Sequence, residues 1–497
     1  MNKYCLYILS CLASCAAVNA SAQPLATADS SNKNIETLHH DAALEKQITL
    51  APVDPADTLN YTINLINVTG NKRTKTYIVL RECQLTQGET YTLADIKTKA
   101  TRTRELLMNT TLFVDVIVTP VQLPQQQLQL DIVVKERWYL FPLPYFKLVD
   151  RNINQWWVEH NRDLDRVNYG IKFTQYNFSG RNDKLNVWLI NGYTQQISAG
   201  YDAPFIDKSL KHGMSFGFFY SQNREVSYKT EFNKQKFNGN VDNDFIRRRY
   251  GGSFTYSYRP KINTRHFFSL SYENERVADT ILALNPNYFP SLKNSVGYPS
   301  ISYSLSYNNV DYLPYPTKGW TYNASFTKRG INKNMNLWQV GGTVTYTRPV
   351  LDKKTFLHLQ AAGTLLLPFK QPFYNKRIFG YGALYMRGLE YYVSEGVAAF
   401  MARATLRKQV LKFTVKNLVK SKSHDRIPFT FYAKVFGDIG YAYDDKPQPS
   451  SFLNNKLLRT AGVGIDVISI YDFVLKLEFS VNQFGDKGLF VHGRGDF

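Results

Sequence analysis

The chain has 497 residues, a formal net charge of +20, a mean hydropathy of -0.33 and 14% aromatic residues. Beyond the N-terminus, no segment approaches the roughly 18 consecutive apolar residues of a membrane-spanning helix, which excludes a helical membrane protein. A low mean hydropathy together with many Tyr and Phe residues is typical of a transmembrane β-barrel, because only alternate residues of each strand face lipid. We therefore predict a mainly β fold.

The N-terminus predicts an export signal. It carries one charge, Lys3, then an apolar middle, and it ends in Ala20-Ser21-Ala22, which fits a small-residue cleavage site. We predict a signal peptide at residues 1–22; the alternative is lipoprotein-type processing that would leave a lipidated Cys15. After cleavage at residue 22 the mature chain keeps a single cysteine, Cys83, and so has no internal disulfide.

Residues 23–59 are polar and lack an apolar period, so we predict a periplasmic lead-in without a core. His39-His40 lies in this segment without the further ligands that a metal site needs. Residues 60–137 then show a compact β-α-α-β-β pattern. Its predicted elements are Tyr61–Val68, Lys75–Glu82, Thr92–Asn109, Leu112–Thr119 and Leu128–Lys135.

From residue 138 to the C-terminus we predict a transmembrane antiparallel β-barrel of about 16 strands. The passage after Arg137 is rich in Pro and Trp and is interpreted as a lead into the barrel. The strand candidates are Asn168–Phe178, Lys184–Ile190, Gln195–Asp202, Met214–Ser221, a weaker Val226–Phe237, Tyr250–Arg259, His266–Arg276, Ser300–Asn308, Thr321–Lys328, Trp338–Arg348, Thr355–Leu365, Ala399–Gln409, Thr430–Tyr441, Arg459–Val467, Phe473–Ser480 and Gly488–Phe497.

Residues 60–137 resemble a POTRA domain in the runs INVTGNKRTKTYIVLRE, NTTLFVDVIVTP and LQLDIVVKER. The resemblance implies one periplasmic α/β domain that binds polypeptide by adding a strand to an exposed sheet edge. The alternative is that the domain acts as a structural plug or spacer. The sequence contains no second copy of this pattern.

One connection in the barrel region, Pro368–Gly396, is long and rich in Gly, Tyr and Phe. Its Met386-Arg387-Gly388-Leu389 resembles the V-R-G-F/Y signature of the BamA/TamA superfamily of outer-membrane assembly and translocation proteins. Phe436-Gly437-Asp438-Ile439-Gly440 resembles the F-x-D-x-G strand motif of that family. The resemblance implies that this extracellular loop folds back into the lumen.

The two motifs predict a contact between the loop and the barrel wall. Phe436, Asp438 and Gly440 share one face of a strand, so a lumenal face would let Asp438 bind the planar guanidinium of Arg387. Gly388 would permit a tight turn, and Gly440 would leave room for the loop. This pair is either a functional lock or a pin that only stabilises the barrel.

Three shorter runs agree with the same family: Tyr315–Gly319, Phe178–Leu185 and Tyr201–Phe205. One departure concerns a Glu that family members often carry after the loop, where this chain has Thr405. The lock is therefore expected to rest on Asp438 alone. The terminal Phe497 is expected at the barrel seam, between the last strand and the first, Asn168–Phe178.

The sequence contains no recognisable catalytic motif, and we expect neither an enzyme nor a cofactor or metal. Basic runs such as Arg247-Arg248-Arg249 are assigned to loops, lumen and lipid headgroups, so nucleic acid is not an expected partner. The resemblance implies nucleotide-independent assembly or translocation of outer-membrane or secreted polypeptides, with lipid, unfolded chains and periplasmic chaperones or accessory proteins as partners. The alternatives are a loop-plugged transport channel and a structural surface barrel.

Overall fold

The computed structural model describes residues 59–148, 167–239, 244–332, 334–417 and 426–494. The expected signal peptide, residues 23–58 of the expected lead-in, and Phe497 lie outside the described residues.

The N-terminal unit is a small α/β domain with two helices on a four-stranded sheet of order β2-β1-β4-β3. Thr92 begins the longer helix because its hydroxyl accepts a hydrogen bond from the Asp95 amide at 3.2 Å. The parallel pair β1 and β4 lies at the centre of the sheet. The elements are β1 Asn60–Thr69, α1 Thr76–Arg81, β2 Thr90–Thr92, α2 Leu93–Met108, β3 Phe113–Leu123 and β4 Gln127–Glu136.

The core of this domain is formed by apolar side chains that alternate along the strands and recur along α2. Ile96 and Leu107 of α2 are fully buried against Ile63, Leu130 and Ile132 of the sheet. This match between strand period and helix period explains why the β-α-α-β-β pattern could be predicted from sequence.

The rest of the described chain forms a 16-stranded antiparallel sheet, which confirms the predicted fold class. Its strands follow chain order, so nearly all neighbours are joined by hairpins. The strands are β5 Leu140–Leu148, β6 Val167–Tyr176, β7 Lys184–Gly192, β8 Thr194–Ala203, β9 His212–Asn223, β12 Arg247–Lys261, β13 Thr264–Val277, β14 Ser295–Val310, β15 Gly319–Asn332, β16 Met335–Pro349, β17 Thr355–Leu367, β20 Ala398–Lys416, β21 Arg426–Tyr443, β22 Leu458–Ile468, β23 Val474–Asn482 and β24 Lys487–Arg494.

Two details differ from the sequence-based expectation. The predicted weak strand Val226–Phe237 is not part of the large sheet; it forms a separate hairpin of β10 (Glu225–Glu231) and β11 (Lys234–Gly239). The Pro-rich passage after Arg137 instead supplies β5, which pairs with β6 at the sheet edge. The first strand is therefore β5 rather than Asn168–Phe178.

The sheet curls into a barrel. The ring of Phe141 in β5 lies 5.6 Å from the ring of Tyr471, in the turn between β22 and β23, so the two ends of the sheet come together. Side chains alternate between an exposed apolar outer face, with Phe216 and Ile301 as examples, and a lumenal face that carries most of the buried charges. This alternation is that of a transmembrane barrel.

At one end of the barrel, the tight turns contact the α/β domain. Arg102 of α2 donates to the side chains of Asn263, in the turn between β12 and β13, and of Asn309, near the end of β14. Arg137 binds Asp472, in the turn between β22 and β23, with one contact of 2.7 Å. The domain thus spans this mouth of the barrel.

At the other end, long connections pack over the opening around an apolar cluster that includes Ile281, Tyr288 and Phe373. This loop end contains the β10–β11 hairpin, α3 (Asp279–Leu284), α4 (Phe373–Lys376), β18 (Arg377–Phe379) and β19 (Ser394–Glu395). None of the helices in the described residues has the length and apolar character needed to cross a bilayer.

Candidate functional site in the barrel lumen

The long connection between β17 and β20 enters the lumen. Its tip carries Met386, Arg387 and Leu389, which are all buried. Met386 and Leu389 pack in one cluster with Phe379 of β18 and with Met401 and Ala442 of the barrel wall. The burial of this apolar cluster places the charged Arg387 deep inside the barrel.

Arg387 forms a bidentate ion pair with Asp438 of β21. Its Nε donates to Asp438 Oδ2 at 3.0 Å, and its Nη2 donates to Oδ1. The Arg387 backbone amide also donates to Oδ2, at 3.2 Å. The Asp438 carboxylate accepts hydrogen bonds from both the guanidinium and the backbone amide of Arg387. It therefore neutralises the charge at the loop tip and also fixes the orientation of the tip.

The guanidinium of Arg387 also lies over the ring of Phe436, with Cζ 3.9 Å from the ring centroid. Phe436 and Asp438 project from the same lumenal face of β21. A planar guanidinium can stack and pair at the same time, which a lysine ammonium cannot.

Both motif glycines lie where the loop approaches the wall. Gly388 has φ +84°, and a Cβ there would stand 3.1 Å from the Cβ of Ser480. A Cβ on Gly440 would meet the sulfur of Met386. Gly388 therefore permits the turn after Arg387, and Gly440 provides the space that Met386 fills.

The sequence led us to expect that the lock would rest on Asp438 alone, but Arg387 has further partners in the structure. Glu478 of β23 lies 3.7 Å from Arg387 Nη1, and Thr405 accepts a hydrogen bond from Nη1 at 3.1 Å. A second carboxylate thus reaches the guanidinium from a different strand. Sequence reasoning missed Glu478 because only the barrel register brings β23 beside the loop.

Further charges extend this lumenal cluster. Lys434 lies 2.5 Å from both Glu478 and Asp466, and all three side chains are almost fully buried. Asp466 also accepts a hydrogen bond from the hydroxyl of Tyr315 at 2.8 Å. Tyr315 belongs to the turn between β14 and β15, so one network connects the loop tip with a turn on the side of the α/β domain.

A second arginine, Arg403 of β20, supports the lock from the other side. Its Nε is 3.6 Å from Asp438 Oδ2, and its guanidinium lies over the ring of Tyr385, 4.6 Å from the centroid. It also donates to the carbonyl of Tyr385, in the loop. Arg403 lies two residues before Thr405 and so on the same face of β20, which was the only sequence signal for its lumenal position.

The structure thus brings together five predicted or aligned residues: Arg387, Gly388, Phe436, Asp438 and Gly440. The remaining predicted site residue, Phe497, lies outside the described part of the chain. Within the described ranges, no group of three or more His, Cys, Asp or Glu residues has the arrangement of a metal site.

Comparison with known families assigns the chain. The POTRA family, described as surface antigen variable number repeat, matches residues 61–137. The Omp85 superfamily domain matches residues 177–481, which is more than half of the chain. The chain belongs to the Omp85 superfamily. This Omp85 protein therefore combines one POTRA domain with the barrel that holds the Arg387 loop.

Individual relatives agree with this membership. The outer membrane protein assembly factor BamA of Neorickettsia risticii (strain Illinois) is 25% identical over 299 residues, which are 59% of this chain and 34% of that protein. This Omp85 chain thus spans about a third of that relative's length.

Two solved structures resemble this Omp85 protein. BamA of Haemophilus ducreyi lacking POTRA domains 1–3 superposes with a TM-score of 0.50 at 16% identity, over 88% of this chain and 84% of that one. That likeness shows the fold. CdiB of Escherichia coli gives a TM-score of 0.45 at 10% identity, over 90% and 92% of the two chains.

Proposed function

We propose that this Omp85 protein lies in a bacterial outer membrane, with its POTRA domain in the periplasm. There it assists the insertion of other outer-membrane proteins or moves polypeptide across the membrane, without nucleotide. The single observation that carries the proposal is the lumenal lock, in which Arg387 of a folded-in loop binds Asp438 and Phe436 of the barrel wall. This arrangement matches both family motifs in one contact.

The position of the POTRA domain supports the same function. It spans the mouth through which a periplasmic polypeptide would approach, and its edge strand β3 pairs only with β4 among the described strands. An exposed strand edge can bind an extended chain through main-chain hydrogen bonds. In the proposed sequence of events, the client meets this edge first and then the barrel.

The ends of the large sheet support a role for the barrel itself. No hydrogen-bonded pairing joins β5 to β24 within the described residues, so these strands form a seam. Barrel closure normally removes sheet edges, and an unpaired seam leaves two of them available to a client. A covalent link across this seam is expected to stop client insertion; undiminished insertion would reject sideways opening.

The function is tested by depleting the protein and then quantifying all outer-membrane and secreted proteins by mass spectrometry. A loss of many barrel proteins indicates general assembly, and the loss of one secreted species indicates dedicated translocation. An unchanged inventory would reject both forms of the proposal. Re-expression of the native chain is the control, because it should restore the missing proteins.

A second candidate function is a transport channel plugged by the loop. The observation that favours it is the position of the loop, whose buried tip lies inside the lumen and is held there through the contacts of Arg387 and Arg403 with Asp438. Conductance in planar bilayers separates the two readings. Arg387→Ala should give larger and noisier currents if the loop is a plug, and poorly folded barrels if Arg387 is only a pin.

A third candidate is a surface barrel with a purely structural role. If the protein has that role, deletion of the POTRA domain should leave the inventory of outer-membrane proteins unchanged. The assembly function instead requires the domain, because it spans the mouth used by clients.

A further inference from the structure

The arginine run at the start of β12 divides between the two faces of the barrel wall. Arg247 Nε donates to Glu275 at 2.7 Å, and Arg249 Nε lies 3.2 Å from the same carboxylate, in the lumen. Arg248 stands between them in the strand and therefore points outward. Its side chain is exposed. Three consecutive arginines thus have two different environments, and only the middle one faces the surroundings of the barrel.

Arg248 faces a second outward arginine across the ladder of β12 and β13. It pairs with Arg276, whose side chain is also exposed. Two residues further along, the Ala278 amide donates to the Ile246 carbonyl at 2.8 Å. Arg248 and Arg276 therefore form a hydrogen-bonded pair, with Cα atoms about 5.5 Å apart. Like charges directly opposite each other destabilise a sheet, and an anion bound between them would offset this repulsion.

The two arginines belong to a row of polar side chains that crosses five strands on the outer face. Gln222 of β9 pairs with Arg248, and Ser295 of β14 pairs with Arg276. Gln195 of β8 extends the row, because it pairs with Gln222 and accepts a hydrogen bond from it at 3.3 Å. We call these five residues the polar row. It combines two guanidiniums, which suit phosphate oxygens, with neutral groups that can bind hydroxyls.

Toward the POTRA domain, the outer face below the polar row becomes aromatic and then apolar. Tyr250 and Tyr272, on the same strands as the arginines, are 44% and 47% exposed. Phe216, Leu270 and Ile301 follow and are also exposed. Aromatic side chains at the border of an outward apolar band mark the membrane–water interface of a barrel. The polar row therefore lies just outside the layer of lipid acyl chains.

The length of β13 places the arginine pair at the same level. The strand has 14 residues. At about 3.3 Å per residue and a tilt of about 40°, it extends about 35 Å along the membrane normal, whereas the apolar band is about 25 Å tall. The turn before β13 contacts Arg102 of the POTRA domain, and Arg276 is the next-to-last residue of the strand. The pair thus lies among the headgroups of the leaflet opposite that domain.

The chain itself supplies no counter-charge to the pair. Among the residues that the structure describes, no carboxylate forms an ion pair with Arg248 or Arg276. Glu275, which precedes Arg276, is turned into the lumen. Asp279, just beyond the end of β13, accepts a hydrogen bond from the Asn294 side chain at 2.8 Å. Two adjacent positive charges at headgroup level are therefore left for a ligand outside the chain.

We propose that Arg248 and Arg276 bind a phosphate group of a phosphorylated glycolipid of the lipid A class, in the outer leaflet. The guanidiniums hold the phosphate through charge-assisted hydrogen bonds, and Gln222 and Ser295 lie beside them for the sugar hydroxyls. The acyl chains cover the apolar surface around Ile301. This site lies outside both the lumen and the seam. The inference goes beyond the proposed function and shares with it only the placement in an outer membrane.

The first test measures the affinity of a fluorescent, doubly phosphorylated lipid A for the purified full-length protein in a non-ionic detergent. R248Q/R276Q should bind about tenfold more weakly than the native protein, because charge-assisted hydrogen bonds are lost. The control K353Q/K354Q removes the same charge from an exposed turn at the POTRA end and should bind like the native protein. Equal affinity of R248Q/R276Q and the native protein would overturn the proposal. An equal loss in the control would also overturn it, since it would indicate only an effect of net charge.

The chemistry of the ligand is tested with the native protein. A lipid A analogue without phosphate should bind about tenfold more weakly, because it keeps the acyl chains and loses the anion. Phosphatidylglycerol should also bind more weakly, because it has a phosphate but no sugar. Equal binding of the phosphate-free analogue would overturn the proposal, since acyl chains alone would then determine affinity. Equal binding of phosphatidylglycerol would reject the glycolipid as the ligand.

Photocrosslinking locates the lipid without any change to the two arginines. A benzoylphenylalanine replaces Gln222 or Met214, which lie on the outer face of β9 at opposite ends of the strand. In vesicles that contain biotinylated lipid A, crosslinking from position 222 should be severalfold stronger; equal or weaker crosslinking would overturn the proposal. Lipid A binding without client insertion would reject only the proposed function. Client insertion without lipid A binding would reject only this inference.

Discussion

Glu82 of the POTRA domain and Arg259 of the barrel form a buried bidentate ion pair. Arg259 Nη1 lies 2.5 Å from Glu82 Oε1, and Nη2 lies 2.9 Å from Oε2. Arg81 shares the same carboxylate at 3.0 Å. A carboxylate between two guanidiniums cannot be removed without leaving buried positive charge, so Glu82 is a central point of contact between the domains.

We expect Glu82→Gln to loosen the POTRA domain from the barrel. Removing one partner of a buried pair costs about 3–5 kcal/mol, because Arg259 and Arg81 lose their counter-charge. Hydrogen exchange at α1 and at the turn after Arg259 measures the effect, which should be faster exchange at both. The exposed Glu89→Gln is the matched control, and equal exchange in the two variants would contradict the assignment.

Arg387 and Asp438 should be energetically coupled. In a double-mutant cycle of Arg387→Ala and Asp438→Ala, urea unfolding in detergent should give a coupling free energy of about 0.5–3 kcal/mol. The control cycle pairs Arg387→Ala with Glu231→Ala in the exposed β10–β11 hairpin, and its effects should add. Additive effects in the first cycle would show that the observed ion pair does not stabilise the protein.

Gly388→Ala should destabilise the loop tip. The left-handed backbone at Gly388 costs a residue with a Cβ about 1–2 kcal/mol, and the new methyl group would crowd Ser480. Gly382→Ala in the same loop is the control, because a Cβ there has open space around it. Limited proteolysis of the loop in the folded barrel should be faster for Gly388→Ala only; equal cleavage would argue against a constrained turn.

Cys83 should react slowly in the folded protein. Burial raises the pKa of its thiol, which lowers the thiolate fraction available to an alkylating reagent. Because a raised pKa delays ionisation, the folded-to-unfolded difference should be large near pH 8 and shrink as the pH rises further. Mass spectrometry of iodoacetamide-treated protein, with and without urea, measures it at Cys83 itself. Equal rates near pH 8 would contradict the burial.

The fold class was predicted from local patterns, namely the alternation along strands and the period of α2. The approach of Arg387 to Asp438 was predicted from the resemblance to two family motifs, and strand alternation added only that Phe436, Asp438 and Gly440 share a face. Glu478 and Arg403 were missed because their proximity to Arg387 arises from the curling of the sheet, which no local pattern encodes.

The strand assignment failed where local chemistry misleads. Pro142 and Pro144 make β5 look like a connection, yet they are compatible with a strand whose other side is unpaired. Residues 226–237 alternate like a barrel strand but pair with each other, because a tight turn at Phe232 and Asn233 folds them into a hairpin. The predicted number of about 16 strands still agrees with the structure, because one segment was wrongly included in the barrel and β5 was wrongly left out.

The central claim is that this protein inserts or moves polypeptide without nucleotide. Its most direct measurement uses liposomes that contain the purified full-length protein and a urea-unfolded, radiolabelled outer-membrane barrel protein, with no nucleotide present. We predict that the labelled chain becomes folded in the membrane, or protected inside the vesicles, faster than with empty liposomes or with liposomes containing the Arg387→Ala variant. Equal rates in all three preparations would contradict the account.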